Sequence, residues 1–524
     1  MSINSIRTLL EQAAKTNPKK TALVFDQENI SYSDLLHRVN HVACYLSELN
    51  LPKNSRVGIY SNKSIEQVIA ILAILSTEYI LVPLTTLLKP EQVEYIIDDC
   101  NIKCIITNQS KLDVVKEMNF NGEIISYETS IKEIASFEEI YKYYNKPFSC
   151  DINGHDNAVI TYSFGLGGAP KGIVISHRNL IDSARVVSQY LHLEESDVIS
   201  GILIFNLDYG LNQIFTTLYK KATLALHKML LPEDFFNHLI NDKVTVLPLM
   251  PINITQMFDE DTIVRFPDSE LFNSIRIITS SGGNVTRKMI QDSKKLFKNA
   301  LFYSMHGLTE AFRSTYLAPE QIEIRPDSIG KPIPDVELYV INEEGKECKP
   351  REVGELIHRG GYIYQGFWNA PDQNKRRFKS IQILKDVLNL EGQLVDEIVV
   401  ASGDNVYKDE EGYFYFVSRN DDMIKTRGFR VSPLEIESVI EKNISQIDAS
   451  AIFSIPNEEI EEEIIMVYSA KNELSRKEII FELKKHLASY MIPGKIFYKK
   501  SLPLIQSDKN KINKEELKHE LFGN

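Results

Sequence analysis

Short β-rich runs alternating with helical stretches constrain this chain more than any other feature. In the first 150 residues, Ser33–Leu49 reads as a helix, Ser55–Tyr60 (SRVGIY) as a strand, Ser64–Leu75 as a helix and Lys103–Thr107 (KCIIT) as a strand. The pattern resumes between Asn157 and Ser304, where NAVITYS, ATLALH, KVTVLPL, IRIITSS and ALFYS are separated by helical segments. A chain written this way predicts an α/β fold of βαβ units around largely parallel sheets. From Asp335 to Gly403, turn-punctuated strands (VELYVINEEGKE, GELIHRGG) replace the alternation and predict a small barrel-like or antiparallel subdomain. After Arg419-Asn420-Asp421-Asp422 a new unit begins, with amphipathic helices near Pro433–Lys442 and Ser475–Ser489. The expected organisation is a body of residues 1–420 and a smaller α+β domain of residues 421–524.

A chain of 524 residues buries large cores without help from disulfides or a structural metal. Its 59 basic and 72 acidic side chains leave a net charge of −13, which opposes non-specific binding to nucleic acid. Cys44, Cys100, Cys104, Cys150 and Cys348 form neither a zinc-ligand set nor a disulfide framework, and read as free thiols of a reducing compartment. The longest uninterrupted apolar run, Val68–Leu75, is far short of the ~20 residues of a membrane helix. The N-terminus lacks an apolar core followed by a small-residue cleavage site. A cytoplasmic protein with neither membrane nor nucleic-acid partners is expected.

The strongest local signal is Tyr162–Gly172, YSFGLGGAPKG, between the strand-like AVIT and SHRNL. Gly165, Gly167 and Gly168 let backbone amides turn toward an anion, and Lys171 reaches its oxygens from beyond Pro170. Proline before the lysine excludes a Walker loop, and it also removes the last glycine of a dinucleotide fingerprint. Alone, the segment also reads as a glycine-rich surface turn.

The segment resembles the phosphate loop YTSGTTGxPKG of the adenylate-forming superfamily, which comprises acyl-CoA synthetases, adenylation domains of nonribosomal peptide synthetases, and luciferases. Further stretches follow in that superfamily's order. HGLTE (His306–Glu310) resembles YGxTE, GELIHRGGYIYQGFWN (Gly354–Asn369) resembles GEL…GG…GYWN, and SGD (Ser402–Asp404) stands where TGD is usual. RNDDMIKTRGFRVSPLEIE (Arg419–Glu437) is similar to R-x-D-D-x-x-K-x-R-G-F-R-V-x-x-x-E-I-E, and KINK (Lys511–Lys514) to a closing GK-[IV]-D-[RK]. Six such stretches in one order span most of the chain.

The resemblance implies a reaction in two halves. A carboxylate attacks the α-phosphate of ATP to give an acyl-adenylate and pyrophosphate; a thiol then takes the acyl group and AMP leaves. By resemblance, Ser163, Gly165, Gly167, Gly168 and Lys171 would hold the leaving phosphates, and Glu310 would bind Mg²⁺. Thr309 would contact the α-phosphate, with His306, Gly307, Gly282 and Gly283 also lining the nucleotide. Asp404 and Arg419 would hold the ribose. Lys511 would sit between the attacking carboxylate and the α-phosphate; counting forward from Leu502-Pro503 favours Lys509 instead, whereas KINK and the spacing to Leu517 favour Lys511. Asp421 would be the hinge of a rotating C-terminal domain, and Gly428 would line a tunnel for the thiol. Singly, each has a plainer reading: a helix cap for Thr309, a turn residue for Asp404, a solvated tail for Lys511.

The phosphate loop departs from its relatives. Phe164-Gly165-Leu166-Gly167-Gly168 replaces Ser-Gly-Thr-Thr-Gly, so three side-chain hydroxyls are missing, each worth about 1 kcal/mol as a contact. A slow enzyme, or a nucleotide-binding homologue without turnover, is therefore an alternative. Retention of Glu310, Asp404, Arg419 and a C-terminal lysine favours the active enzyme.

Phe205–Phe215 (FNLDYGLNQIF) resembles the FDxSxxxxF region of peptide-synthetase adenylation domains, in which an aspartate pairs with the substrate's α-ammonium. Asp208 aligns with it, although it also reads as a helix cap or turn residue. By the same alignment Tyr209, Asn212, Pro248, Ile278, Ser280, Met305, Arg313 and Ser314 would line a small pocket of mixed polarity. Arg313 would meet a second carboxylate or hydroxyl of the acid, or a protein carboxylate. The chain reaches Asn524 soon after Lys511 with no carrier domain, so the thiol is expected from a separate phosphopantetheine carrier protein or from coenzyme A. Lys425–Arg430 (KTRGFR) favours the carrier, and Lys484-Lys485 and Lys499-Lys500 would suit an acidic one. The expectation is a stand-alone ATP- and Mg²⁺-dependent ligase that charges a carrier with a small amino acid; a short or medium acyl-CoA ligase is the alternative.

Overall fold

The computed structural model describes residues 3–118, 120–129, 131, 133–144, 146, 148–164, 170–228, 232–257, 269–283, 285–388, 390, 396–419, 423–505 and 508–523. The chain divides into two compact units, one of residues 1–86, 94–162 and 172–418, the other of residues 87–93, 163–171 and 419–524.

The helix Ile65–Ile74 shows how sequence sets the first unit's core. Ser64 caps it by accepting from the Gln67 N–H, and from Val68 to Ile74 every side chain is buried. A helix apolar all round has no face to give to water, so it lies inside. Ser31 caps the amphipathic helix Tyr32–Glu48 in the same way, with Leu35, Val39 and Val42 on its buried side. Each buried aliphatic side chain contributes about 1.5–3 kcal/mol. Both helices lie within a residue or two of their expected places, as do the strands Arg56–Tyr60 and Ile102–Thr107.

Among the described residues, this α/β architecture carries an eight-stranded and a nine-stranded sheet. In the nine-stranded sheet, Thr21–Phe25, Thr223–Leu226, Val198–Gly201, Val246–Leu249, Ile277–Ser280 and Leu301–His306 pair in that spatial order, all parallel. Thr315–Leu317 then returns antiparallel to Leu301–His306. The turn-punctuated stretch folds as a five-stranded sheet in which Val336–Ile341, Gly354–Gly360, Ile398–Lys408 and Phe378–Ser380 pair antiparallel, with Phe414–Arg419 added to Ile398–Lys408. All five cysteines are free thiols, and among the described residues no helix is long and apolar enough to cross a membrane.

The second unit is α+β. The long strands Ile447–Asn457 and Glu461–Ala470 pair antiparallel, and Lys495–Lys499 adds parallel to the latter. Helix Pro433–Asn443 contributes Glu435, which is only 9% exposed. Gln92, in the same unit, donates to Glu435 Oε1 at 2.8 Å, while Oε2 has no hydrogen-bond partner among the described residues. Burial pushes this carboxyl up to about 8, with the Gln92 contact opposing it. A carboxyl raised in the folded state contributes stability that is full below its unfolded value of about 4.5 and is lost as pH rises through about 8. Glu435→Gln, which keeps the volume and cannot ionise, is expected to hold its thermal midpoint between pH 6 and 9 while the wild-type midpoint falls by about 5 °C. Parallel melting curves across that range check it, and equal slopes for the two proteins would refute it.

Candidate active site

In open α/β sheets the carboxyl ends of parallel strands bound the crevice where ligands bind, and the candidate residues of the first unit gather at such ends. Leu301–His306 pairs with Ile277–Ser280 so that Ser304 lies opposite Ser280. The chain then reverses, with His306 opposite Thr315. Two backbone bonds close this return: Leu308 N–H donates to Ala311 O at 3.1 Å, and Ser314 N–H to His306 O at 2.9 Å. A Cβ on Gly307 would lie 2.4 Å from Phe312 O, so only glycine allows the loop to close this tightly. One short segment thereby presents His306, Thr309, Glu310 and Arg313. Thr309 is half-buried in a bend of this loop and begins no helix.

Asp404 arrives from a different sheet. It lies inside the strand Ile398–Lys408, fully buried, and its N–H donates to Ser402 Oγ at 3.0 Å. Its Oδ2 stands 3.2 Å from His306 Nε2. A carboxylate only accepts, so the contact places a proton on His306 Nε2. The His306 ring also has the Phe416 ring 6.3 Å away, with Phe416 itself 45% exposed. Asp404 is thus a strand residue held by a histidine, and an exposed aromatic stands beside the pair.

Glu310 is 3% exposed, and its Oε1 lies 3.5 Å from the Nε of Arg377. Arg377 ends the helix Pro371–Arg377, and its Nη1 donates to Ala401 O at 3.4 Å. Nothing in the sequence singles Arg377 out, because Lys375-Arg376-Arg377 reads as a solvated basic helix end. Among the described residues no three His, Cys, Asp or Glu side chains cluster as a metal cage. One carboxylate completed by phosphate oxygens is nevertheless a normal donor set for Mg²⁺, which seldom uses an all-protein cage.

Four of the nine substrate candidates, Tyr209, Asn212, Met305 and Arg313, line one cavity together with Tyr190 and Thr279. Tyr209 Oη lies 2.7 Å from Thr279 Oγ1, and burial pushes its phenol up to about 12. Asn212 donates to Ser183 Oγ at 3.0 Å, and Tyr190 donates to Met305 Sδ at 3.0 Å. Because Thr279 faces this cavity, strand alternation turns its neighbours Ile278 and Ser280 to the opposite face. Ser280 therefore lies outside the cavity, buried with its Oγ unpartnered among the described residues. Ser314 is also outside, its Oγ 3.0 Å from His358 Nδ1.

Asp208 opens the helix Asp208–Lys220, where its Oδ1 accepts from Tyr209 N–H at 2.6 Å. It does not occupy the N-cap, which is Leu207. A carboxylate in a first helical turn is favoured by the helix dipole. Asp208 and Arg313 both act on the buried hydroxyl of Tyr364, which burial holds well above the ordinary phenol value. Tyr190, Thr279 and Arg377 are surroundings that no motif announced, and Tyr364 lies within the Gly354–Asn369 stretch without being singled out by it.

Gly282 and Gly283 form the bend that follows Ile277–Ser280, Gly282 with φ +88°. Lys171 is half-buried near the start of the strand Pro170–Ser176. In the second unit Gly428 (φ +75°) and Arg427 (φ +53°) make a hairpin turn, and the Gly428 N–H donates to Glu461 Oε2 at 2.9 Å. Gly165, Gly167, Gly168 and Asp421 lie outside the described residues, as do the side chains of Ser163, Arg419, Lys509 and Lys511.

Residues 10–368 match a family model described as AMP-binding enzyme. Over 511 residues the chain is 24% identical to tyrocidine synthase 1 of Brevibacillus parabrevis, covering 96% of this chain and 44% of that protein. The chain thus spans less than half the length of this relative. It is 26% identical to an uncharacterized acyl-CoA ligase, YtcI, of Bacillus subtilis, covering 94% of this chain and 92% of that one. Among solved structures, the amide bond synthetase McbA of Marinactinospora thermotolerans superposes with a TM-score of 0.85 at 16% identity, covering 99% of each chain.

Proposed function

This chain belongs to the AMP-binding enzyme family and is an adenylate-forming enzyme, and from that premise we propose that it activates a small amino acid with ATP and passes it to the phosphopantetheine thiol of a separate carrier protein. The observation that carries the reading is the convergence of His306, Glu310 and Arg313 on one loop, with Asp404 against His306. The nucleotide end of the site is then His306 with Asp404, which hold the adenosine, and Thr309 with Gly307, which border the α-phosphate. Glu310 would hold Mg²⁺, which when bound draws charge from the phosphate oxygens. The phosphate loop with Lys171 retains the leaving pyrophosphate, and its backbone amides do work that hydroxyls do in relatives. Lys511 offsets the repulsion between the incoming carboxylate and the α-phosphate. In the second half, with rotation about Asp421, the thiol passes Gly428 and attacks the acyl carbonyl, and AMP leaves.

ATP–pyrophosphate exchange over matched panels of amino acids and their deaminated analogues, with Mg²⁺ and no thiol, tests the first half. A peak on an amino acid supports the reading, and silence on both panels despite ATP binding overturns it. Asp208→Ala is expected to erase the preference for the amino acid over its deaminated analogue, a change of about 10–100-fold in relative kcat/KM. An unchanged ratio would remove Asp208 from the ammonium role. A second reading, coenzyme A as acceptor, is favoured by the likeness to an acyl-CoA ligase over 92% of that protein's length. Two features of the second unit also weaken the basic carrier-facing surface: Lys485 pairs with Glu482 at 2.6 Å, and Lys499 pairs with Glu520. Transfer of radiolabelled acid to a holo-carrier against transfer to free coenzyme A separates the two.

A further inference from the structure

Arg313 is a buried cation, 3% exposed, on the wall of the cavity that Tyr209, Asn212 and Met305 also line. Among the described residues it makes no ion pair. Its Nη1 donates a long bond, 3.3 Å, to Phe312 O, the guanidinium also meets the buried Tyr190 hydroxyl, and its Nε has no hydrogen-bond partner among the described residues. The guanidinium rests over two rings, Tyr209 at 4.6 Å and Phe312 at 4.7 Å. Such stacking fixes the plane of the group and supplies no acceptor for its in-plane donors. A buried guanidinium without an anion is unfavourable, and a planar fork of donors suits a carboxylate, which it meets with two parallel bonds.

We propose that Arg313 is the counter-charge for a second carboxylate on the acid, so that the site takes an amino-dicarboxylic acid in preference to a monocarboxylic one. The inference rests on the adenylation reading above and narrows its substrate class. Asp208 supplies the opposite charge: it directly precedes Tyr209, whose ring the Arg313 guanidinium overlies at 4.6 Å. Neutral amides of the same shape would leave the guanidinium unneutralised, and apolar isosteres would leave its donors unpaired as well.

The test is exchange on aspartate and glutamate against asparagine, glutamine and norvaline, followed by Arg313→Met and Arg313→Lys. Wild-type enzyme is expected to use one of the two dicarboxylic acids at least 100-fold better than its amide. Arg313→Met is expected to lose that advantage through KM for the acid, with KM for ATP unchanged, and Arg313→Lys to restore part of it. A purely structural arginine would instead lower kcat for every acid alike. Wild-type exchange that peaks on an amide, on norvaline or on another monocarboxylic acid overturns the inference without any variant and leaves adenylation standing. Exchange with a dicarboxylic acid that is indifferent to Arg313→Met also overturns it. Silence with every acid overturns the adenylation reading, and this inference falls with it.

Discussion

Glu310→Gln is expected to lower ATP–pyrophosphate exchange by about 10²–10³-fold, the usual cost of removing one preorganised charge contact at a reacting phosphate. The substitution preserves volume and hydrogen-bonding capacity at a position that is 3% exposed, so the loop need not repack. It removes the negative charge. That charge faces Arg377 Nε at 3.5 Å, and on the proposed reading it would also take Mg²⁺ beside the triphosphate. The two uses separate experimentally. Loss of the metal contact raises the Mg²⁺ concentration needed for half-maximal exchange, and loss of the Arg377 partner lowers the thermal midpoint. Arg377→Met should lower the midpoint too, because it strips the buried carboxylate of its cation, yet it leaves the metal's carboxylate in place. If Glu310→Gln exchanges at wild-type rate with an unchanged Mg²⁺ dependence, Glu310 has no part in the chemistry.

The uneven legibility of this chain has physical causes. The alternation of patterns was enough for the parallel sheets, because period 2 and period 3.6 in short succession leave few other ways to bury both apolar sets. Val68–Leu75 was legible as too short to span a membrane, and its burial follows from having no polar face. His306, Glu310 and Asp404 could be named as candidates because they sit in ordered motifs. Their partners could not. Arg377 reaches Glu310 from the end of a basic helix that reads as solvent-facing, and Phe416 reaches His306 from another strand. Neither pairing is local in sequence, and neither partner carries an unusual residue type. Ser280 illustrates a finer limit. The strand Ile277–Ser280 was legible, yet an alignment with gaps does not fix which alternate residues face a given cavity: Thr279 lines the one described above and Ser280 does not.

Lys511→Ala is expected to reduce adenylation by about 10²–10³-fold while ATP still binds and a supplied acyl-adenylate is still transferred to thiol. The reason is electrostatic. Adenylation drives a carboxylate onto a phosphate that already carries charge, and a compact ammonium between them acts only while they approach. Transfer to the thiol develops charge at an acyl carbonyl, where that ammonium has no comparable task. Lys509 stands two positions away on the same strand, Asp508–Ile512, which the chain pairs with Leu504–Ile505. It provides the internal control: Lys509→Ala should exchange at close to the wild-type rate. The reverse pattern would move the role to Lys509 and shift the KINK register by two residues without disturbing the family assignment. Equal tolerance of both substitutions would mean that the approach of the two anions is balanced elsewhere, by Lys171 or by Arg419, and would make the altered phosphate loop the place to look next.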